Sequence, residues 1–127
     1  MKSALVVDDN EVNRILVSRF LTKLGWQVAN AADGDEALAW MAGNAAELIL
    51  LDISMPTISG DEVCRRARAE GLDKGAKLVA YTAHAMPEER EQFLACGFDA
   101  ILVKPVSRQT VADLLVDLGL GEQGTPG

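Results

Sequence analysis

The sequence predicts an α/β fold: a doubly wound parallel sheet of five strands in the order 2-1-3-4-5, with five helices. Three observations predict it. Four apolar runs, residues 4–7, 48–51, 78–81 and 100–103, have the length of strands buried on both faces. Amphipathic stretches separate them, and strands joined by helical crossovers run parallel with right-handed connections. Each run stops at a polar residue, in turn Asp8, Asp52, Thr82 and Lys104. In a parallel sheet those ends emerge on one edge, which is where open α/β sheets bind ligands.

The elements follow in alternation. After the first run, Asn10 caps a helix whose apolar positions Leu16, Val17, Phe20, Leu21 and Leu24 keep helical spacing, and Gly25 stops it. A second strand covers about residues 26–31. Asp33-Gly34 opens a short helix carrying Ala37, Leu38 and Met41, which Gly43-Asn44 closes before the third strand. The third helix runs from Asp61 to about Ala69, and its Arg65, Arg66 and Arg68 read as a solvated face. Residues 77–81 are the fourth strand. Pro87 suits the first position of a helix that reaches Cys96 and ends at Gly97. Ser107 caps the last helix, where Val111, Leu114, Leu115 and Leu118 make one stripe. The domain is residues 1–118; the Gly-rich, polar stretch 119–127 reads as a flexible tail or the stub of a linker.

Composition sets the bounds. A chain of 127 residues forms one domain that buries about two thirds of its unfolded surface. Twelve Lys and Arg against 19 Asp and Glu give a net charge of −7 without a basic stripe, so direct nucleic-acid binding is not expected. No apolar run approaches membrane-spanning length and no signal-peptide core precedes the first strand, so the expectation is a cytoplasmic protein with no direct membrane contact. Cys64 and Cys96, without a CxxC spacing or a His partner, read as free thiols. His84, the only histidine, reads as an exposed loop residue, and Trp26 and Trp40 as packing.

The chemistry lies in the strand ends. Asp8-Asp9 alone would be read as charge stabilisation of a helix N-terminus. With Asp52 they place three carboxylates in one pocket, where repulsion raises at least one pKa unless a cation neutralises them. Mg²⁺ suits that need, taking a few carboxylates together with waters and phosphate oxygens. Asp52 is then the candidate nucleophile, since a carboxylate can accept a phosphoryl group as an acyl phosphate. Lys104 supplies a second positive charge. Thr82 offers a hydroxyl donor, and Ala83 beside it leaves the approach open. Two other classes fit less well. An aspartate-nucleophile phosphatase of the haloacid-dehalogenase type would have a second acid where Asn10 stands, and a flavin-binding module would need a Ser/Thr/Gly-rich phosphate loop in place of Asp8-Asp9-Asn10.

Asp8-Asp9, then Asp52 with Met55-Pro56 and Gly60, then Thr82-Ala83 and Lys104-Pro105, resemble in order and spacing the response-regulator receiver domain, a flavodoxin-like fold, over about residues 3–118. The stretch from Asp8 to Arg14, with that from Thr82 to Met86, is most similar to receivers attached to hybrid histidine kinases. The resemblance implies that Asp52 takes a phosphoryl group from a phosphohistidine on a histidine kinase or a histidine phosphotransfer protein. It implies that Asp9 and Asp52 bind Mg²⁺ directly, Asp8 through water, and the Ser54 backbone carbonyl completes the set. Thr82, Ala83 and Lys104 would hold the phosphoryl oxygens, and a cis Lys104-Pro105 bond would aim the lysine. Thr82 would move inward on phosphorylation, biasing a two-state element. The usual aromatic switch position holds Ile101, so the switch cannot be a rotating ring, and this leaves room for a phosphorylation-independent interaction module. At about 100° per residue, Ile15 points away from the buried face of the first helix and Val12 lies off its edge. Receivers commonly meet helical phosphodonors through this helix and the loop at Pro105-Val106.

Overall fold

The structure, a computed structural model, describes residues 2–120. Five parallel strands, β1 (Ser3–Val7), β2 (Gln27–Ala31), β3 (Leu48–Asp52), β4 (Lys77–Thr82) and β5 (Ala100–Val103), form one sheet in the order β2-β1-β3-β4-β5. The helices are α1 (Glu11–Lys23), α2 (Gly34–Gly43), α3 (Gly60–Glu70), α4 (Pro87–Cys96) and α5 (Arg108–Asp117). Both the order and the alternation match the sequence expectation.

The apolar runs are explained by burial on two faces. Leu5, Val7, Ile49, Leu51, Leu78 and Ala80 point to the side covered by α2, α3 and α4. Ala4, Val6, Leu48, Leu50, Val79 and Tyr81 point to the side covered by α1 and α5 through Val17, Leu21, Val111, Leu114 and Leu115. The caps fall where the sequence places them: the side chains of Asn10, Asp33 and Ser107 accept backbone N–H bonds from Asn13, Glu36 and Thr110, and Gly97 takes the left-handed conformation at the end of α4.

Several expectations need correction. Trp26 is not in β2; its N–H bonds to the Leu21 carbonyl in the turn after α1, and its buried ring joins the core. Leu16, expected in the buried stripe of α1, is 40% exposed because it lies at the edge of that stripe, facing the groove toward Lys104 rather than the sheet. Arg68 does not belong to a solvated face. Its guanidinium bonds the Gly97 and Ala76 carbonyls and pairs with Asp73 and Asp99, tying the end of α3 to the loops before β4 and β5. Gly119 and Leu120, placed in the tail from sequence, close α5, with Leu120 packed on the core; residues 121–127 of that tail lie outside the described residues.

Gly60 starts α3 directly over the phosphoacceptor candidate. A Cβ there would overlap the Asp52 carbonyl oxygen and lie 3.0 Å from the Ile53 Cα, both backbone atoms that cannot swing away. Gly60→Ala is therefore expected to cost about 1–3 kcal/mol in urea unfolding. Gly43→Ala, with open space around its Cβ, should be neutral or slightly stabilising.

Candidate functional site

Strand register brings the chemistry together. Val7 pairs with Leu51, Asp52 with Tyr81 and Thr82 with Val103, so Asp8, Asp52, Thr82 and Lys104 reach the same edge within a residue of one another. One oxygen from each of Asp8, Asp9 and Asp52 lies within 4.8 Å of the others. Asp8 and Asp52 are buried and Asp9 is exposed, so the cluster opens to solvent on one side only.

The electrostatics are unbalanced. Lys104 Nζ stands 3.3 Å from Asp52 Oδ1 and 3.6 Å from Asp8 Oδ2, a single cation against three carboxylates. Asp8 Oδ2 is buried and accepts no hydrogen bond. Burial, with the Asp8 carboxylate adding to it and Lys104 opposing it, pushes the Asp52 carboxyl up to about 6. An orphaned buried oxygen within an all-oxygen acidic set is what a hard divalent cation would satisfy, so the residues present fit Mg²⁺.

The remaining predicted residues fall in different places. The Lys104-Pro105 bond is cis, as the resemblance implies. Ser54 is exposed and its N–H donates to Asp52 Oδ1 at 3.2 Å. Thr82 is buried, but its hydroxyl donates to the His84 carbonyl at 2.9 Å and is held in the loop after β4 rather than on Asp52. Ala83 is exposed beside Lys104 and His84 is an exposed loop residue. Ile101 is half-buried against the core on the α4 side.

The docking candidates differ in exposure. Val12 and Ile15 are 72% and 47% exposed. Val106 is buried in the core and offers only the floor of a 350 Å³ groove that Leu16, Ala83 and Pro105 also line. Ile15 lines a different groove, with Arg14, Ser18 and Arg19, so α1 forms a ridge between the two. Leu16, which helical spacing assigns to the core, is the apolar residue on the Lys104 side.

Sequence reasoning missed Tyr81, read there only as the end of an apolar run. Its ring lies under Lys104 Nζ at 4.6 Å from the centroid and holds the ammonium over the site, while burial pushes its phenol up to about 12 and keeps it neutral. An aromatic closing an otherwise aliphatic run was the available signal.

A family model described as the response regulator receiver domain matches residues 4–116. The chain belongs to that family. This receiver is 39% identical over 112 residues to the sensor histidine kinase RcsC of Salmonella typhimurium, an alignment covering 85% of the chain and 12% of the kinase, so the chain spans about an eighth of that relative's length. Among solved structures it superimposes on the chemotaxis response regulator CheY4 of Vibrio cholerae with a TM-score of 0.87 at 32% identity, covering 93% of this chain and 98% of that one. It superimposes on the receiver domain of a sensor histidine kinase of Pseudomonas aeruginosa, solved with a magnesium ion in its active-site cleft, with a TM-score of 0.82 at 30% identity, covering 91% and 95%. A receiver domain is a signalling domain, and among the described residues no helix is long and apolar enough to cross a membrane.

Proposed function

We propose that this receiver accepts a phosphoryl group on Asp52 from a phosphohistidine, with Mg²⁺ held by Asp9 and Asp52, by Asp8 through water and by the Ser54 carbonyl. The observation that carries the reading is the buried Asp52 carboxylate set between an acidic pair and Lys104. Bound Mg²⁺ would offset the charge on the phosphoryl oxygens. An Asp52 oxygen attacks phosphorus, the P–N bond to the histidine breaks with its electron pair going to nitrogen, and the imidazole, protonated at its other ring nitrogen, leaves neutral, so one bond to phosphorus replaces another. Lys104, braced on Tyr81, meets a second phosphoryl oxygen. To meet a third, the Thr82 hydroxyl must leave the His84 carbonyl, and that exchange would release the loop before α4 and give a partner something to read. The domain turns over no substrate beyond its own phosphorylation and dephosphorylation. Its donor is a cytoplasmic histidine kinase or phosphotransfer protein, and the domain serves as part of a larger hybrid kinase.

Incubation with a small acyl-phosphate donor tests this by intact mass. One phosphoryl group is expected with Mg²⁺ and none when the metal is chelated; uptake without metal, or no uptake with it, would sink the reading. The exposed ridge of α1 is the proposed donor contact. Ile15→Asp should slow transfer from a partner protein about tenfold or more, as loss of an interface anchor does, while small-molecule labelling stays at the parent rate. Equal rates from the partner would show Ile15 to be ordinary surface.

A further inference from the structure

Asp8 is held at three of its four polar atoms. Its N–H donates to the Ala31 carbonyl at 3.2 Å, its Oδ1 accepts the Asn10 N–H at 2.8 Å, and its carbonyl accepts from Arg14 Nη1 at 2.6 Å. Only Oδ2 accepts no hydrogen bond; it faces Lys104 Nζ at 3.6 Å within the carboxylate cluster. Of these contacts the Arg14 bond is the one made by a side chain to the Asp8 backbone, reaching back from the first turn of α1 across the β1–α1 turn. Arg14 makes no ion pair among the described residues; its charge-assisted bond is made to a carbonyl at the junction of Asp8 and Asp9. Within the turn itself the other side-chain bonds are local, from the Asn10 N–H to Asp8 Oδ1 and from the Asn13 N–H to the Asn10 carboxamide oxygen.

We propose that Arg14 is a positioning residue that sets the Asp8–Asp9 peptide, and through it the aim of both carboxylates into the cation site. The proposal rests on the reading of that site as a Mg²⁺ site. Groups that orient metal ligands from behind typically change metal affinity 10–100-fold when removed. Electrostatics alone has the opposite sign: deleting a positive charge beside a cation site should tighten binding. The direction of the change therefore separates positioning from charge.

The test is Mg²⁺ titration of the purified domain by calorimetry and amide chemical shifts, with Arg14→Met and Arg14→Gln, which keep bulk but cannot make the charged bond, and Arg14→Lys. Positioning predicts Mg²⁺ binding weakened about tenfold in the Met and Gln variants, with partial recovery in Lys, and parent-like phosphorylation by a small acyl-phosphate donor once Mg²⁺ is saturating. Unchanged or tighter Mg²⁺ binding in either folded neutral variant overturns the proposal, whatever happens to the melting temperature; if one variant does not fold, the other decides. If the parent binds no Mg²⁺, the reading of the site falls and the proposal with it.

Discussion

Asp52→Asn is expected to abolish phosphoryl uptake and, in the same protein, to raise stability in the absence of metal. The loss follows from chemistry, since an amide oxygen cannot form the acyl phosphate. The gain follows from the environment. Asp52 is 2% exposed, lies against the Asp8 carboxylate and has its carboxyl pushed up to about 6 from an ordinary 3.8, so the folded state holds its proton more tightly than the unfolded chain does. Between those values the native state binds more protons, and the contribution of this group to stability falls as pH rises through that window. It is fully present in acid and gone above about pH 6. Asn cannot ionise and still accepts the Ser54 N–H, so the variant lacks that fall. Parent and variant should be similar near pH 4 and diverge toward pH 6 by on the order of 1–2 kcal/mol, each pKa unit being worth about 1.4 kcal/mol before the lost Lys104 contact is subtracted. Denaturant titrations across that range, with chelator present, measure the difference. A parent at least as stable as the variant at pH 7 would refute the strain assigned to the cluster.

The sheet and the four strand ends were legible because two local signals agree. Apolar runs of strand length separated by helical periodicity require a parallel sheet, and in a parallel sheet residues such as Asp8 and Asp52, which follow paired Val7 and Leu51, must meet. What escaped depends on partners distant in sequence. Helical spacing placed Leu16 in the core because it cannot know that the Lys104-Pro105 loop leaves a groove there. Arg68 looked solvated because its acceptors Gly97 and Asp99 lie about 30 residues on. Val106 looked like exposed loop because nothing in its neighbours shows that it turns under α1 and α5. Tyr81 and Arg14 meet their partners through a ring face and a backbone carbonyl, contacts whose one trace in the sequence is the aromatic that ends an aliphatic run.

Lys104→Ala should separate the metal from the phosphoryl group. Among the described residues Lys104 is the one cation paired with Asp8 and Asp52, and Asp8 Oδ2 accepts no hydrogen bond. Truncating it leaves two buried carboxylates uncompensated. Removing one partner of a buried pair costs about 3–5 kcal/mol, and since Lys104 keeps 23% of its side chain exposed the loss here should be nearer the low end or below it. The same deletion makes the cluster more negative and so a better cation site. Mg²⁺ should bind at least as tightly as in the parent and raise the melting temperature of the variant by more than it raises that of the parent, because binding energy to the folded state adds to stability. Phosphoryl uptake should not recover with the metal. Lys104 contributes a positive donor to oxygens that gain charge during transfer, and loss of one such preorganised donor typically costs about 10²–10³-fold in rate. Melting curves with and without Mg²⁺, alongside initial labelling rates at saturating Mg²⁺, measure the two effects independently. If metal restored both stability and rate, Lys104 would be a counter-ion for the acids and no part of the transfer chemistry.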